Sequence, residues 1–328
     1  MKHPQPRDNL YDVYWEFAEK RQAIFYARLN GRTEPWSDDP ILQQYKFCNV
    51  FRAADRVSQY LIREVCYSDE RRTPGDALFQ IVTFRTFSKI ETWEGLRRLL
   101  GRSPTLEDLS GGKFEQALVD LKMTHRPIYT NAFILCANDA FGRGEKVLNH
   151  VALFKHMFFD ADITTRILNA ATLEEVYGVL HSFPLYGDFM SYQTAIDINY
   201  SELINFSEND FTVAGPGALR GLKKVFEDLG DLTPEQAIHW MVDRQDAEFS
   251  RLNLPFDGLF GRKIHAIDAQ NLFCEVDKYL RVYVPELASA RTRIKTKFSP
   301  NYTNIKLFFP PKWGVNEKIP FVALTKQP

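Results

Sequence analysis

Helical periodicity is the feature that most constrains how this chain of 328 residues can fold. From Asp8 to Leu29, bulky apolar side chains recur at the spacing of one face of an amphipathic helix. A second long helical pattern runs from Leu42 to Tyr67, and shorter ones follow. Runs that alternate apolar and polar residues are scarce, the exceptions being Phe211–Val213 and Arg291–Lys297. We therefore predict a mostly α, two-lobed helical fold in which residues 1–328 form a single unit.

The composition excludes several classes of protein. With 45% hydrophobic and 25% charged residues, the chain has the balance of an ordinary globular protein and not of a disordered one. No apolar run approaches the ~20 residues that a membrane span needs. The four cysteines are far apart and form no C-x-x-C pair, so neither a zinc site nor a disulfide framework is expected. We expect a cytoplasmic monomer with no membrane association and no metal ion or cofactor.

Charge is segregated towards the end of the chain, although the formal net charge is only −1. Residues 227–257 hold eight acidic and two basic groups, and residues 281–318 hold eight basic and two acidic groups. We therefore predict a basic C-terminal arm at residues 281–328. If the arm is extended, its basic side chains at a spacing of two share one face and could follow DNA phosphates; a solvated strand is the alternative. These side chains are Arg291, Arg293, Lys295 and Lys297.

Several catalytic signatures are absent from the sequence. The segment Gly111–Lys113 lacks the upstream glycine and the following Ser or Thr of a P-loop. No G-x-G-x-x-G follows a strand pattern, and neither H-E-x-x-H nor a nucleophile elbow occurs. The sequence therefore lacks the usual phosphate-binding signature of a kinase.

Residues 171–226 carry the most informative local pattern. Two helical patterns meet at the turn Pro184–Phe189, which predicts a helix-hairpin-helix element. Such a hairpin offers backbone N–H groups at Gly187 to a DNA phosphate, whereas an ordinary helical corner is the alternative. Downstream, Gly215 and Gly217 open a basic helix and would allow an anion to approach the backbone.

The position of Asp210, 23 residues after Gly187, resembles the arrangement in helix-hairpin-helix DNA glycosylases. That resemblance implies a DNA-glycosylase-like fold with a catalytic aspartate at Asp210, which would stabilise the positive charge that develops on the sugar. The position of the lysine that bifunctional members carry holds no lysine here, which favours direct hydrolysis. Asp197 is the second candidate acid, and capping of the following helix is the alternative role for Asp210.

A resemblance that covers most of the chain lies in eight short motifs. They are Lys46–Arg52, Asp55–Val57, Tyr186–Phe189, Tyr192–Gln193, Asp197–Tyr200, Phe206–Phe211, Gly215–Ala218 and Ile267–Glu275. They resemble the α-glutamyl/putrescinyl thymine pyrophosphorylase family, a module also named the helical domain of 5-hydroxymethyluracil DNA kinases. The resemblance implies a role with hypermodified pyrimidines of phage DNA, either building such bases or, in bacterial defence, excising them.

The predicted pocket for an extruded base draws on three segments. Asn49, Arg52 and Asp55 share a helical spacing, and Asp268, Asn271, Glu275 and Lys278 form one polar stripe, for which a solvated face is the alternative. The second hairpin helix adds polar side chains for which a buried network is the alternative. The predicted pocket residues are Asn49, Arg52, Gln193, Asn199, Tyr200, Asp268 and Asn271. The predicted phosphate contacts, besides the basic arm, are Gly187, Gly215, Gly217, Arg220, Lys223 and Lys224.

These patterns predict a monofunctional DNA glycosylase that flips the base out of double-stranded DNA. The family resemblance implies that its targets are modified pyrimidines and that it acts in defence against phage. The first alternative is a transferase that attaches an amine or amino acid to an activated hydroxymethylpyrimidine. The second alternative is a DNA-binding module without catalysis.

Overall fold

The structure is a computed structural model that describes residues 2–124, 127–130, 140–287, 294, 296–299 and 306–320. The mostly α class predicted from the sequence is confirmed. In chain order the helices are α1 Leu10–Leu29, α2 Pro40–Gln44, α3 Arg56–Tyr60, α4 Pro74–Phe87, α5 Ile90–Leu100, α6 Leu106–Ser110, α7 Lys113–Met123, α8 Lys146–Lys155, α9 Ile163–Leu168, α10 Leu173–His181, α11 Asp188–Tyr200, α12 Pro216–Val225, α13 Pro234–Arg251 and α14 Ala266–Tyr283.

Short 3₁₀ and π segments and one small sheet complete the described elements. The π segments Leu61–Cys66 and His156–Asp160 continue α3 and α8, and the 3₁₀ turns include Arg52–Ala54. Two strands, β1 (Gln5–Pro6) and β2 (Phe226–Asp228), pair antiparallel. None of the described helices is both long and apolar enough to cross a membrane.

The chain divides into two compact units. Unit 1 comprises residues 1–55 and 212–328, and unit 2 comprises residues 56–211. Unit 1 therefore brings the N-terminal segment together with the last third of the chain, whereas unit 2 is continuous in sequence.

Helix α14 is the centre of unit 1, where it packs against α1, α12 and α13. Its closest partner is α12, because two glycines leave no side chain between the helices. A Cβ atom on Gly221 would lie 2.1 Å from the carbonyl oxygen of Phe273, and one on Gly217 would lie 2.2 Å from the Cys274 Sγ atom. These glycines let the backbones approach to a distance that no other residue permits.

Helices α4 and α11 form the centre of unit 2. Every residue of α4 from Ala77 to Phe87 is buried, and so is every residue of α11 from Met190 to Tyr200. Helix α4 begins with a capping box, in which the side chains of Thr73 and Asp76 each bind the other residue's backbone N–H group. Because both helices are enclosed on all sides, their polar residues must find partners inside the protein.

The single helix predicted from Leu42 to Tyr67 is interrupted. Helix α2 ends at Gln44, residues 45–51 run without helical structure, and after the 3₁₀ turn Arg52–Ala54 the α-helix resumes at Arg56. The reason is that backbone N–H groups in this segment bond to side chains of α14 and not to carbonyls of their own helix. Residues 211–213, a predicted strand, lie in irregular structure.

Candidate functional site

A polar stripe on α14 binds the segment 46–55, which we call the motif loop. Asp268 Oδ1 accepts a hydrogen bond from the Arg52 backbone N–H group at 2.9 Å, and Glu275 Oε2 accepts one from the Cys48 N–H group at 3.0 Å. Between them, the Asn271 amide donates to the Asn49 carbonyl at 3.3 Å. Side chains two helical turns apart thus fix both ends of one short loop, so the stripe is not a solvated face.

The motif loop presents two polar side chains, Asn49 and Asp55, both half-buried. The Asn49 backbone N–H group donates to Asp55 Oδ1 at 2.8 Å, and the Asn49 side-chain amide donates to the Ala54 carbonyl at 2.8 Å. Burial raises the pKa of the Asp55 carboxyl to about 6, against the opposing effects of the Asn49 N–H group and of Arg21. A carboxylate with such a pKa can accept a proton near neutral pH.

Charged groups surround the motif loop. Arg21 on α1 is buried, and its Nη2 atom lies 3.4 Å from the Phe47 carbonyl oxygen. Its Nη1 atom makes no hydrogen bond to any described residue. The Lys278 ammonium pairs with Glu275, and the pKa of Lys278 is raised because this carboxylate outweighs the effect of burial. Arg21 carries no sequence signal that could have marked it, since it lies within an ordinary amphipathic pattern.

Burial suppresses ionisation of two cysteines, Cys48 in the motif loop and Cys274 on α14. It raises the pKa of the Cys48 thiol well above its usual value and that of Cys274 to about 11, with the nearby Glu275 carboxylate acting in the same direction. Both side chains therefore stay protonated at neutral pH and are poor nucleophiles.

The start of α12 lies against the same part of α14, because the Cys274 thiol contacts the Gly217 Cα atom. Unit 1 thus brings together parts of three of the sequence motifs, Lys46–Arg52, Gly215–Ala218 and Ile267–Glu275. Gly217 was predicted to let an anion approach the backbone; in the structure it accommodates α14. Gly215 is the N-cap of α12, and no side chain caps this helix.

The predicted pocket residues of α11 are buried in unit 2. Asp197 has no exposed surface and forms an ion pair with Arg85 of α4. Asn199 binds both backbone groups of Phe206, each at 2.9 Å. Gln193 and Tyr200 are buried as well. This arrangement is the buried polar network that the sequence left open as the alternative.

Asp210 is exposed and lies in a bend, where its backbone N–H group donates to the Ser207 carbonyl at 3.2 Å. It does not cap α12, whose N-cap is Gly215. The residue at the left-handed position of the hairpin turn is Leu185, with φ of 73°, whereas Gly187 has φ of −77°. Gly187 is the N-cap of α11, and the next residue is the acidic Asp188.

The predicted phosphate contacts differ in accessibility. Lys224 is buried, and its ammonium binds Asp277 Oδ1 at 2.9 Å; Arg220 Nε binds Oδ2 of the same carboxylate at 3.1 Å. Lys223 is exposed. Lys297 is exposed too and is bridged antiparallel to Tyr45, beside the motif loop. Arg291, Arg293 and Lys295 of the basic arm lie outside the described residues.

No group of three or more His, Cys, Asp or Glu side chains placed to hold a metal ion occurs within the described ranges. The candidate site consists of a half-buried carboxyl group, two amides and neighbouring cations on a loop that α14 holds in place.

Comparison with known proteins identifies the module. Residues 8–289 match the model of the 5-hmdU DNA kinase helical domain. A curated relative, the 5-hmdU DNA kinase of Bacillus phage SP10, is 26% identical over 304 residues. That alignment covers 87% of this chain and 47% of the relative, so the chain spans about half the length of the relative. No solved structure matches.

These matches correct the activity predicted from the sequence. The prediction of a DNA glycosylase that excises bases by hydrolysis is wrong. Both the family and the phage relative are named for a DNA kinase, which transfers a group and does not hydrolyse an N-glycosidic bond. The anti-phage role that rested on excision loses its basis. The transferase alternative is closer to the matches, and the likeness to glycosylases gains no support from any solved structure. The family resemblance itself is confirmed: the chain belongs to the family of 5-hmdU DNA kinase helical domains.

Proposed function

We propose that this chain is part of a transferase that acts at the 5-hydroxymethyl group of a pyrimidine in DNA, and that its motif loop binds the acceptor base. The observation that carries the proposal is that two family motifs, Lys46–Arg52 and Ile267–Glu275, meet at the motif loop. There the Asn49 N–H group binds the half-buried Asp55 carboxyl group, and the Asn271 amide binds the Asn49 carbonyl. Amides are suited to the edge of a pyrimidine, which carries both donors and acceptors.

Asp55 would serve as the general base. When the acceptor hydroxyl attacks the phosphorus of a phosphoryl donor, the new O–P bond forms, the bond to the leaving phosphate breaks, and the hydroxyl proton passes to the Asp55 carboxylate. A pKa of about 6 leaves most of this group ionised at neutral pH and still basic enough to accept a proton. The name of the phage relative supports a phosphoryl donor.

A second reaction at the same site is the amine transfer that the sequence left open as an alternative. If the hydroxymethyl group is already activated as its diphosphate ester, an amine can attack the methylene carbon. The C–N bond then forms, pyrophosphate leaves, and the amine proton passes to the same carboxylate. Both reactions need the loop geometry of Asn49 and Asp55, and they differ in the group that the loop must accept.

Contact with the DNA backbone is proposed for two exposed places, each considered on its own. Lys297 lies beside the motif loop in unit 1. In unit 2 the helix-hairpin-helix reading of α10 and α11 is supported by the exposed, uncapped N-terminus of α11 at Gly187. Asp188, at the first position of this helix, weakens its attraction for a phosphate.

The test uses DNA that contains 5-hydroxymethyluracil, incubated with the full chain and ATP, and a parallel reaction on the diphosphate ester of the same DNA with a primary amine. Nucleosides released by digestion are identified by mass spectrometry. A phosphorylated or aminated nucleoside that is lost at least 100-fold in Asp55→Asn, but not in the exposed control Asp243→Asn, is the expected result. If neither reaction yields a product while DNA still binds, the chain is a binding module and the proposal is wrong.

A further inference from the structure

One buried carboxylate on α14 is shared by three cations. The Asp277 side chain has no exposed surface; its Oδ1 atom binds the Lys224 ammonium at 2.9 Å, and its Oδ2 atom binds Arg220 Nε at 3.1 Å. The Arg281 guanidinium binds Oδ2 as well. Within the part of the chain that the structure describes, none of these cations pairs with a second carboxylate. The cluster therefore carries an excess of two positive charges.

Neighbouring groups offset only part of this excess. The carboxylate of Glu227, which follows α12, lies 3.8 Å from its own cation, Arg7. The C-terminal ends of α12 and α14 attract Lys224 and Arg281, which lie in the last turns of these helices. Arg220 lies in the middle of α12 and does not share this attraction. Because the single carboxylate is divided among three cations, Arg220 is only partly neutralised and can bind an anion from solvent.

The accessible part of the cluster lies on the solvent-facing side of α12. The Arg220 side chain is 29% exposed, and neither of its Nη atoms is buried or hydrogen-bonded to a described residue. Lys223, almost one turn further along the helix, is exposed and forms no ion pair with a described carboxylate. These two accessible cations lie over two buried ones, Lys224 and Arg281, whose charges add to the positive potential at this surface.

The form of this surface indicates an extended polyanion and not a small molecule. Its donors lie on the open side of a helix, along which a nucleic-acid strand can pass. A guanidinium can bind phosphate oxygens through two donors at once. The surface is also close to the motif loop, because α14 contacts Gly217 of α12 through Cys274 and binds the loop through the next residue, Glu275. DNA that presents a base to the loop can therefore extend along α12.

We infer that Arg220 and Lys223 bind backbone phosphates of the DNA whose base enters the motif loop. Lys224 and Arg281 are buried, so they contribute charge and hold the shared carboxylate in place without contacting the DNA. The inference rests on the proposed function for the identity of the DNA, whereas its readout is binding and not chemistry.

The test is fluorescence anisotropy of a labelled short duplex that contains 5-hydroxymethyluracil, titrated with the full chain at a series of salt concentrations. Lys223→Gln and Arg220→Gln should each weaken binding about 3- to 10-fold at low salt and lower the slope of log affinity against log salt by about 1, because each removes one phosphate contact. Lys263→Gln, which removes an exposed lysine charge elsewhere in unit 1, should change neither quantity. Asp277 keeps two cations in Arg220→Gln, so the urea midpoint should stay close to native and exclude unfolding as the cause.

Native affinity and native salt slope in both α12 variants would overturn the inference, and so would a native chain that does not bind the duplex at low salt. Displacement of the duplex by micromolar inorganic diphosphate, lost in Arg220→Gln, would mean that the site takes a free phosphate compound and would refute a DNA contact. A chain that binds DNA through these residues but yields no modified nucleoside contradicts only the proposed function, so the two failures are distinguishable.

Discussion

The carboxylate of Asp268 binds the backbone N–H group of Arg52 at 2.9 Å, across 216 residues of sequence. Its second oxygen accepts the His265 backbone N–H group at 3.2 Å, so the same side chain also caps α14. Asp268 therefore couples the start of a helix to the loop that carries Asn49 and Asp55. This coupling makes Asp268 a positioning residue, because it fixes the loop and has only 4% of its own surface exposed.

Replacing Asp268 by alanine should destabilise the protein by about 3 kcal/mol, because two backbone donors lose their acceptor. Asp268→Asn keeps one acceptor oxygen and should lose about half as much. Urea unfolding measures both variants against Asp243→Asn, an exposed carboxylate on α13 with no shift expected. Equal midpoints for Asp268→Ala and the native chain would show that the loop does not depend on this side chain.

The pH dependence of stability should carry the signature of Asp55. Its pKa is about 6 in the folded protein, against 3.8 for an unperturbed aspartate. Between these values the folded state holds a proton that the unfolded state releases, so the free energy of unfolding falls as the pH rises from about 4 to about 6. The full effect is about 3 kcal/mol and persists above pH 6.

Asp55→Asn removes this effect. The asparagine oxygen can still accept the Asn49 N–H group, so the variant should be more stable than the native chain above pH 6, by up to about 3 kcal/mol, and equal to it below pH 4. Urea unfolding at a series of pH values gives the comparison. A variant that is less stable than the native chain at pH 7.5 would contradict the raised pKa. Greater stability together with lost transfer activity is the behaviour expected of a functional carboxyl group.

The sequence predicts some of these features and not others, for physical reasons. A helix with clear periodicity, such as α10, is predicted because local spacing determines which face is buried, here that of Leu173, Val176 and Leu180. The break in the pattern from Leu42 to Tyr67 is not predicted, because the acceptors for Cys48 and Arg52 lie on α14 and local propensity contains no information about them.

The site shows the same division. Asn49, Arg52 and Asp55 were predicted to line a pocket because they would share one face of a helix. This segment is not an α-helix, yet the structure brings Asn49 and Asp55 together through a turn. Gly217 was assigned to an anion because glycine permits close approach; the sequence does not tell whether the approaching group is a ligand or a helix. Lys224 was assigned to phosphate, and only the fold places Asp277 beside it.

The glycines offer a matched pair of tests. Gly221→Ala puts a Cβ atom 2.1 Å from the Phe273 carbonyl oxygen, which forces α12 and α14 apart and should cost about 2–4 kcal/mol. Gly187→Ala meets no atom within 4 Å and has an ordinary φ of −77°, so its stability should be unchanged. If the hairpin binds a phosphate, the new methyl group obstructs it, and DNA affinity in a salt titration should fall in Gly187→Ala. A native affinity in that variant would exclude a hairpin contact.

The ion pair of Arg85 and Asp197 allows a test of whether the Asp197 carboxylate only stabilises the fold or also takes part in the chemistry. Arg85→Met leaves Asp197 charged and fully buried without its guanidinium, and should cost about 3–5 kcal/mol in urea unfolding. Arg85→Met combined with Asp197→Leu removes both charges at similar volume, and most of the lost stability should return. Because no surface of Asp197 is exposed to a substrate, the refolded double variant should retain its transfer activity, unlike Asp55→Asn. If the double variant regains stability but is inactive, then Asp197 takes part in the chemistry.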